Sequence, residues 1–343
     1  MHPNTPRRIA LGATLAILAT AIMGTLGGAQ AQTAAPAAST AEQLVNSLEG
    51  VFGARPGFRR SHARGFCAAG EFIANGNATP FTTAATLQAN ARSSVLARFS
   101  HGGGNPASPD NAPAVRGVAL SLTGPGDTAH EFVMINTPVF AARTPESFVA
   151  FLRVRALNPT TRQQNAAAIA AANAANPDWA PQIAYLRDTP PPASYATAPY
   201  FGVNSFVFIN AAGQRRHARW TFEPVAGRIG LNAEQRAALG PDFLEPELRA
   251  RVAKAPAEWR ALLQFPREGD ALIDAVTAWP ADRETIEVGR LRITSVAMAG
   301  GSGLCVPMLF NPTLLPTGIE PSEDPILNIH AKAYAVSLSR RAP

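Results

Sequence analysis

From residue 95 onward the chain breaks into short apolar or alternating runs that reverse direction too often for a helical bundle. VLARFS (95–100), VRGVALSLTG (115–124) and HEFVMINTPVF (130–140) have the period-two patterning of strands. VNSFVFIN (203–210) and RRHARWTFEP (215–224) flank Ala-Ala-Gly-Gln like the arms of a hairpin, and further strands are expected at 287–296 and 303–310. Helices interrupt them. STAEQLVNSLEGVFG (39–53) has Ser39 and Glu42 at capping-box spacing, Thr144-Pro145-Glu146 opens another helix, and 165–175 and 232–263 read as helical. Many strands joined by turns, with helices inserted between them, predict an α+β chain built on an antiparallel barrel. At 343 residues, 46% of them hydrophobic and 16% charged, it can bury a sizeable core as one domain.

The N-terminus has its own logic. Arg7 and Arg8 precede an apolar run from Ile9 to about Leu26, and Ala29-Gln30-Ala31 follows. This is a secretory signal with cleavage after Ala31; an uncleaved anchor is the alternative that the flanks disfavour. The paired arginines leave the general and the twin-arginine export routes both open. The expected organisation is therefore a signal peptide over 1–31, a flexible leader over 32–44 and a folded domain over 45–343, located in the periplasm. Cys67 and Cys305 then sit in an oxidising compartment, where one disulfide is possible. Their neighbours, Phe66-Cys67-Ala68-Ala69 and Leu304-Cys305-Val306, look like strand interiors, so buried small hydrophobes are the favoured reading.

The net charge of +6 does not imply a polyanionic partner. The only lysines are Lys254 and Lys332, and the arginines are dispersed with no basic run, so nucleic acid is not expected. Six histidines show no zinc-ligand spacing. HGGGNP (101–106) lacks a phosphate-loop lysine and reads as a flexible loop, and GGSGL (300–304) misses the hydrolase elbow by its last glycine. Two groups stand out: RRSHARG (59–65), and ILNIHAKAYAVSLSRR (326–341), where His330, Tyr334 and Arg341 share one helical face. Judged alone, His62 is a satisfied structural histidine and Tyr334 a packed aromatic.

Order changes that judgement. GFRRSHARGFCAAGEF, ARFS, VRGVALSL, INTPVFAARTPESF and FNPTLLPTGIEPSEDPIL, followed by Tyr334 and Arg341, resemble the haem-dependent catalase superfamily in its own sequence of motifs. The likeness spans residues 45 to 341 and is strongest to the short exported branch, the catalase-related peroxidases. It implies the haem-bearing barrel without the C-terminal flavodoxin-like domain of large catalases. It also implies haem b, with Tyr334 as axial iron ligand and His62 as the distal acid and base. Arg59, Arg98 and Arg341 would hold the propionates, whose carboxylates suit guanidinium forks, and Phe148 would pack on the haem face. Ser61 could orient the His62 ring.

Two positions depart from the family pattern. His330 stands where the family places an arginine behind the phenolate. Ile135 stands where true catalases have a distal asparagine, while Asn136 is one residue later. The expected activity is reduction of hydrogen peroxide by a small organic donor, in a monomer or small homo-oligomer with no stable membrane association. Compact catalase activity, conversion of fatty-acid hydroperoxides, and a non-catalytic barrel that binds haem or another apolar ligand are the alternatives.

Overall fold

Capping chemistry takes effect where the sequence places it, at Ser39 and Thr144. The computed structural model describes residues 38–298 and 303–341; the expected signal segment, 1–31, and leader residues 32–37 lie outside these, as do 299–302. In chain order the elements are α1 (Thr40–Phe52), β1 (Gly65–Ala74), β2 (Arg92–His101), β3 (Arg116–Thr123), β4 (Ala129–Ile135) and α2 (Pro145–Val154). There follow α3 (Ala166–Ala175), α4 (Ala180–Asp188), β5 (Tyr200–Phe201), β6 (Phe206–Ile209), β7 (Arg215–Pro224), α5 (Ala233–Ala238) and α6 (Leu244–Val252). Then come β8 (Ala257–Gln264), β9 (Thr285–Val296), β10 (Ile319–Pro321) and α7 (Pro325–Ser339).

The sheet runs β7-β5-β4-β3-β2-β1-β9-β8, and β8 returns to pair with β7, closing an eight-stranded antiparallel barrel. β7 serves three partners: its first residues, 215–218, pair with β6, while 219–224 pair with β8 and, within that stretch, 221–222 pair with β5. β10 extends that outer flap through β6. Inside, Phe72, Phe99, Leu120, Phe132, Trp220, Phe222, Trp259, Leu263 and Leu291 form one continuous buried cluster. Burying a side chain of this size contributes roughly 1.5–3 kcal/mol, so the interior is the main source of cohesion.

Outside the barrel, α1, α2 and α7 pack together around Leu44, Val149 and Leu152. Ser39 caps α1 in a full capping box with Glu42, and Thr144 caps α2 ahead of Pro145. Residues 40–44 are therefore the first turn of α1 rather than flexible leader. Among the described residues, no helix is long and apolar enough to cross a membrane.

Three other expectations need correction. Residues 257–263 are strand, not helix: Pro256 precedes them, and Ala257, Trp259, Ala261 and Leu263 alternate into the barrel. Residues 303–310 are a loop, not a strand, and several of its carbonyls turn toward arginines instead of a neighbouring ladder. Cys67 and Cys305 are disulfide-bonded across 238 residues with Cα atoms 5.6 Å apart, rather than two separate buried thiols.

Candidate active site

Between the barrel wall and the three helices lies a cavity. Its walls are mostly apolar, from β3, β4, α1, α2 and α7, with Phe148, Phe140 and Ile329 among them. Sequence reasoning brought seven residues forward as a site, and all seven line it: Arg59, His62, Arg98, Phe148, His330, Tyr334 and Arg341.

His62 lies on the segment joining α1 to β1, in a left-handed conformation (φ 52°) unusual for a side chain of its size. Its neighbours hold that turn in place. Ala63 N donates to Gly103 O at 3.0 Å, and His101 N donates to Arg64 O at 3.0 Å. The glycines of HGGGNP thus serve as a brace rather than a free loop, and a Cβ at Gly104 would come within 2.4 Å of Arg60 O.

The ring of His62 is oriented by Ser100, not by Ser61. Nδ1 lies 3.0 Å from Ser100 Oγ, and that hydroxyl also lies 3.4 Å from Gly117 O. A carbonyl can only accept, so Ser100 donates to Gly117 and accepts from Nδ1–H, which leaves Nε2 free as a base. Burial, reinforced by Arg98 and His101, pushes the His62 pKa down to about 3, so the imidazole is neutral. Ser61 lines the cavity beside it.

The opposite wall is α7, started by Asp324, whose side chain accepts from Ile326 N. Tyr334 and His330, one turn apart, meet edge to face with ring centroids 5.3 Å apart and an interplanar angle of 84°. Burial raises the Tyr334 pKa to about 12, with Arg59 acting in the other direction. Burial also lowers that of His330, while the carbonyls of Ile326 and Leu327 one turn back act to raise it. His330 Nδ1 is buried with no partner of hydrogen-bonding geometry.

The three arginines gather at one end. Arg98, on β2, is 7% exposed and donates to Ala63 O at 3.3 Å. Arg59 Nη2 donates to the carbonyls of Cys305, Val306 and Met308, at 3.1, 3.2 and 2.7 Å. Arg341 Nη1 reaches Val306 O at 3.4 Å, and its Nε is buried without a partner. Burial and mutual repulsion lower the pKa of Arg59 to about 9 and that of Arg98 to about 10. No carboxylate lines the cavity among the described residues, and none of the three guanidinium groups is in a salt bridge.

Asn136 does not rescue the missing amide. Ile135 pairs with Gly117 across β3 and β4 and lines the cavity, whereas Asn136 Oδ1 accepts from Arg116 N at 2.7 Å behind the wall. The register is not shifted by one. A polar knot that the sequence did not announce ties the site's elements together: Glu49 on α1 accepts from Arg60 at 2.6 Å and from Arg340 at 2.9 Å. Arg60 N also donates to Ser337 Oγ on α7 at 3.2 Å. Arg340 is therefore a partner in this knot.

A closed eight-stranded antiparallel barrel with a helix-covered cavity on its flank defines a structural class with many solved members. A fungal catalase superimposes with a TM-score of 0.75 at 24% identity, covering 84% of this chain and 60% of that one. Catalase A from Saccharomyces cerevisiae gives the same TM-score at 23% identity, covering 84% and 62%. The family model for catalase matches residues 30–342, and the chain belongs to the catalase family. A catalase-related peroxidase of Synechococcus elongatus is 35% identical over 327 residues, spanning 95% of this chain and 96% of the relative. One of Mycolicibacterium paratuberculosis is 31% identical over 303 residues, 88% and 95% of the two chains. Membership of this family implies a haem cofactor.

Proposed function

We propose that this protein is a haem b peroxidase that reduces hydrogen peroxide with electrons from a small organic donor. The observation that carries the reading is the polarity of the cavity. Three guanidinium groups without a carboxylate partner border a space whose walls are otherwise mostly apolar, among the described residues. Unpaired buried cations are costly, so the site is built for a ligand that is apolar over most of its surface and anionic at one edge. The described residues fit haem on this criterion, and Arg341 Nε, buried without a partner, is one donor such an edge would satisfy. Bound there, ferric haem supplies the redox-active metal at which the peroxide O–O bond is cleaved.

Tyr334 would hold the metal. A phenolate is a hard anionic donor that suits ferric iron, and the metal's own charge overcomes the burial that otherwise keeps this phenol protonated. Arg59, Arg98 and Arg341 would fix the carboxylates, and Phe148 would cover the ring face. On the opposite side His62 Nε2 would take the proton from one peroxide oxygen and return it to the other, which would leave as water, the two electrons coming in the end from the organic donor. Ser100 keeps the correct tautomer throughout. Ile135 offers no hydrogen bond to a second peroxide, which favours an organic donor over oxygen release. The Synechococcus and Mycolicibacterium relatives carry the name of this chemistry.

The location proposed for the enzyme is the periplasm. The n-region, apolar run and Ala-x-Ala site at the N-terminus support it, and so does the Cys67–Cys305 disulfide, a bond that persists in oxidising compartments.

The test is the purified protein's optical spectrum before and after peroxide, with oxygen evolution and oxidation of a phenolic donor followed in parallel. Haem, a peroxide-induced spectral change and donor oxidation with little oxygen release are expected. Absence of haem, haem inert to peroxide, or oxygen release at a catalase's rate without donor oxidation would each overturn the proposal.

A further inference from the structure

We infer that the Cys67–Cys305 disulfide is a positioning element of the cofactor site, acting through the carbonyls of the 305–308 loop on Arg59 and Arg341. The inference rests on the haem reading above and extends it to a bond remote from the iron ligand.

The loop is the rim against which both arginines lean. Arg59 donates to three of its carbonyls and Arg341 to one. Apart from these bonds and the packing of Met308 and Phe310 beside Cys67, the loop is open to solvent. Between residues 303 and 310 only Cys305 and Phe310 are buried, while Leu304 and Val306 are 80% and 47% exposed. Among the described residues, the backbone hydrogen bond of its first turn, Val306 N to Gly303 O, is internal to it. At its far end Asn311 N donates to Glu131 Oε2 at 2.5 Å, which fixes where the loop leaves but not where 305–308 lie.

Electrostatics works against the arrangement. Arg59 is opposed by both Arg98 and Arg341, so until a cofactor's carboxylates are in place like charges push the rim apart, offset locally by Tyr334 and by the neutral carbonyls of the loop. The covalent bond to β1 resists that push. Cys67 lies on β1 directly opposite Arg98 on β2, so the same ladder carries one arginine and the anchor for the loop that holds the other two. Gly303 is shaped for this contact: a Cβ there would sit 2.6 Å from Cys67 Sγ. Cys67, Cys305 and Phe310 form a small buried cluster of their own, with Ala119 and Val133 of the cavity wall against it.

Without the bond the loop is free to withdraw, and Arg59 and Arg341 lose the carbonyls that aim them. The expected consequence is faster loss of haem, not loss of the fold. The experiment measures transfer of haem from the holoprotein to excess apomyoglobin for wild type, Cys67→Ala/Cys305→Ala, Arg59→Gln/Arg341→Gln and the combined quadruple variant. Removing the disulfide from wild type should accelerate release roughly tenfold, the scale of a lost hydrogen bond to a charged group. In the Arg59→Gln/Arg341→Gln background it should change release less than about twofold, because elements acting in series are not additive.

A purely structural role would accelerate release by the same factor in both backgrounds, and that result overturns the inference, as does no effect in either. Should the double alanine variant not fold, wild-type holoprotein reduced with a phosphine and capped with iodoacetamide, its barrel verified by circular dichroism, supplies the same comparison. A haem-retaining wild type whose release rate ignores the disulfide defeats this inference alone; a wild type that takes up no haem defeats the functional reading and this inference with it.

Discussion

His62 and Ser100 meet across the bend between the α1–β1 connection and β2, with Nδ1 and Oγ 3.0 Å apart. The contact has a direction, because Ser100 is also within 3.4 Å of Gly117 O and must spend its proton there. His62→Ala should retain haem while slowing the peroxide-induced spectral change by about 10²–10⁴-fold, the usual range for a positioned acid and base. Ser100→Ala removes only the orienting acceptor and should cost about tenfold, the worth of one hydrogen bond of about 1 kcal/mol together with a looser ring. Stopped-flow absorbance after a single peroxide addition reads both.

The same ring makes a severe demand on Gly117. A Cβ there would lie 2.7 Å from His62 Cε1 and 2.8 Å from Nδ1, and the backbone of β3 cannot retreat without breaking its pairing with β2 and β4. Gly117→Ala should therefore bind haem with wild-type stoichiometry but react with peroxide at close to the His62→Ala rate. A variant with wild-type kinetics would show that the ring does not sit where its catalytic role requires.

How much of this was legible follows from whether each signal was local. Tyr334, Arg341 and His62 are found because each is embedded in a run of residues with its own recognisable order. Ser100 was missed as the partner of His62 for the opposite reason: cross-strand register and an absent side chain at Gly117 bring the two together, and neither leaves a mark beside His62. The residues of β8 read as helix because Ala, Glu, Leu and Gln are good helix formers, and only the placement of Trp259 and Leu263 inside the barrel overrides them. This is the strand that closes the barrel against β7. The disulfide joins residues 238 apart, so no local pattern could have paired them. The family order of motifs did locate Ile135 and His330 as departures, and the cavity contains both.

Ile135 is the position expected to govern the fate of a second peroxide. Its neighbour across the ladder is Gly117, against which His62 packs, so an amide introduced at 135 would face the same space as Nε2. Ile135→Asn should raise the ratio of oxygen released to donor oxidised by about fivefold or more, on the scale of one added hydrogen bond to bound substrate. An oxygen electrode and a chromogenic donor assay on one preparation measure the ratio. An unchanged ratio would remove Ile135 as the determinant of donor preference.

Tyr334 carries the sharpest spectroscopic expectation. Its phenol is held protonated by burial, with a pKa of about 12, so ionisation needs the metal itself. Tyr334→Phe deletes the phenolic oxygen from the cavity wall and should lose haem on gel filtration, or keep it with the ferric phenolate band abolished. Retention of the wild-type ferric spectrum would mean another group is the ligand.

The last expectation concerns stability rather than catalysis, and it lies inside the barrel. His130 is fully buried on β4, with Nδ1 3.0 Å from Thr86 Oγ, Nε2 unpartnered, and its ring 4.2 Å from that of Phe132. Burial pushes its pKa down to about 3, whereas in the unfolded chain it is about 6.5. Between those values the unfolded chain binds a proton that the folded one cannot, so the stabilising effect of a neutral His130 is present above about pH 6.5 and is lost progressively as the pH falls toward 3. His101, lowered to about 4 mainly by burial and by Arg116, acts in the same direction and limits the effect of any single replacement. In His130→Leu the unfolding free energy measured by urea titration should fall less steeply from pH 6 to pH 4, by about 1.4 kcal/mol per pH unit, the contribution of one proton. Leucine leaves Thr86 unpaired, so the variant should start from a lower stability at neutral pH; the slope, not the starting value, is the measure. A slope equal to that of the wild type would mean that His130 gains its proton without opening the barrel.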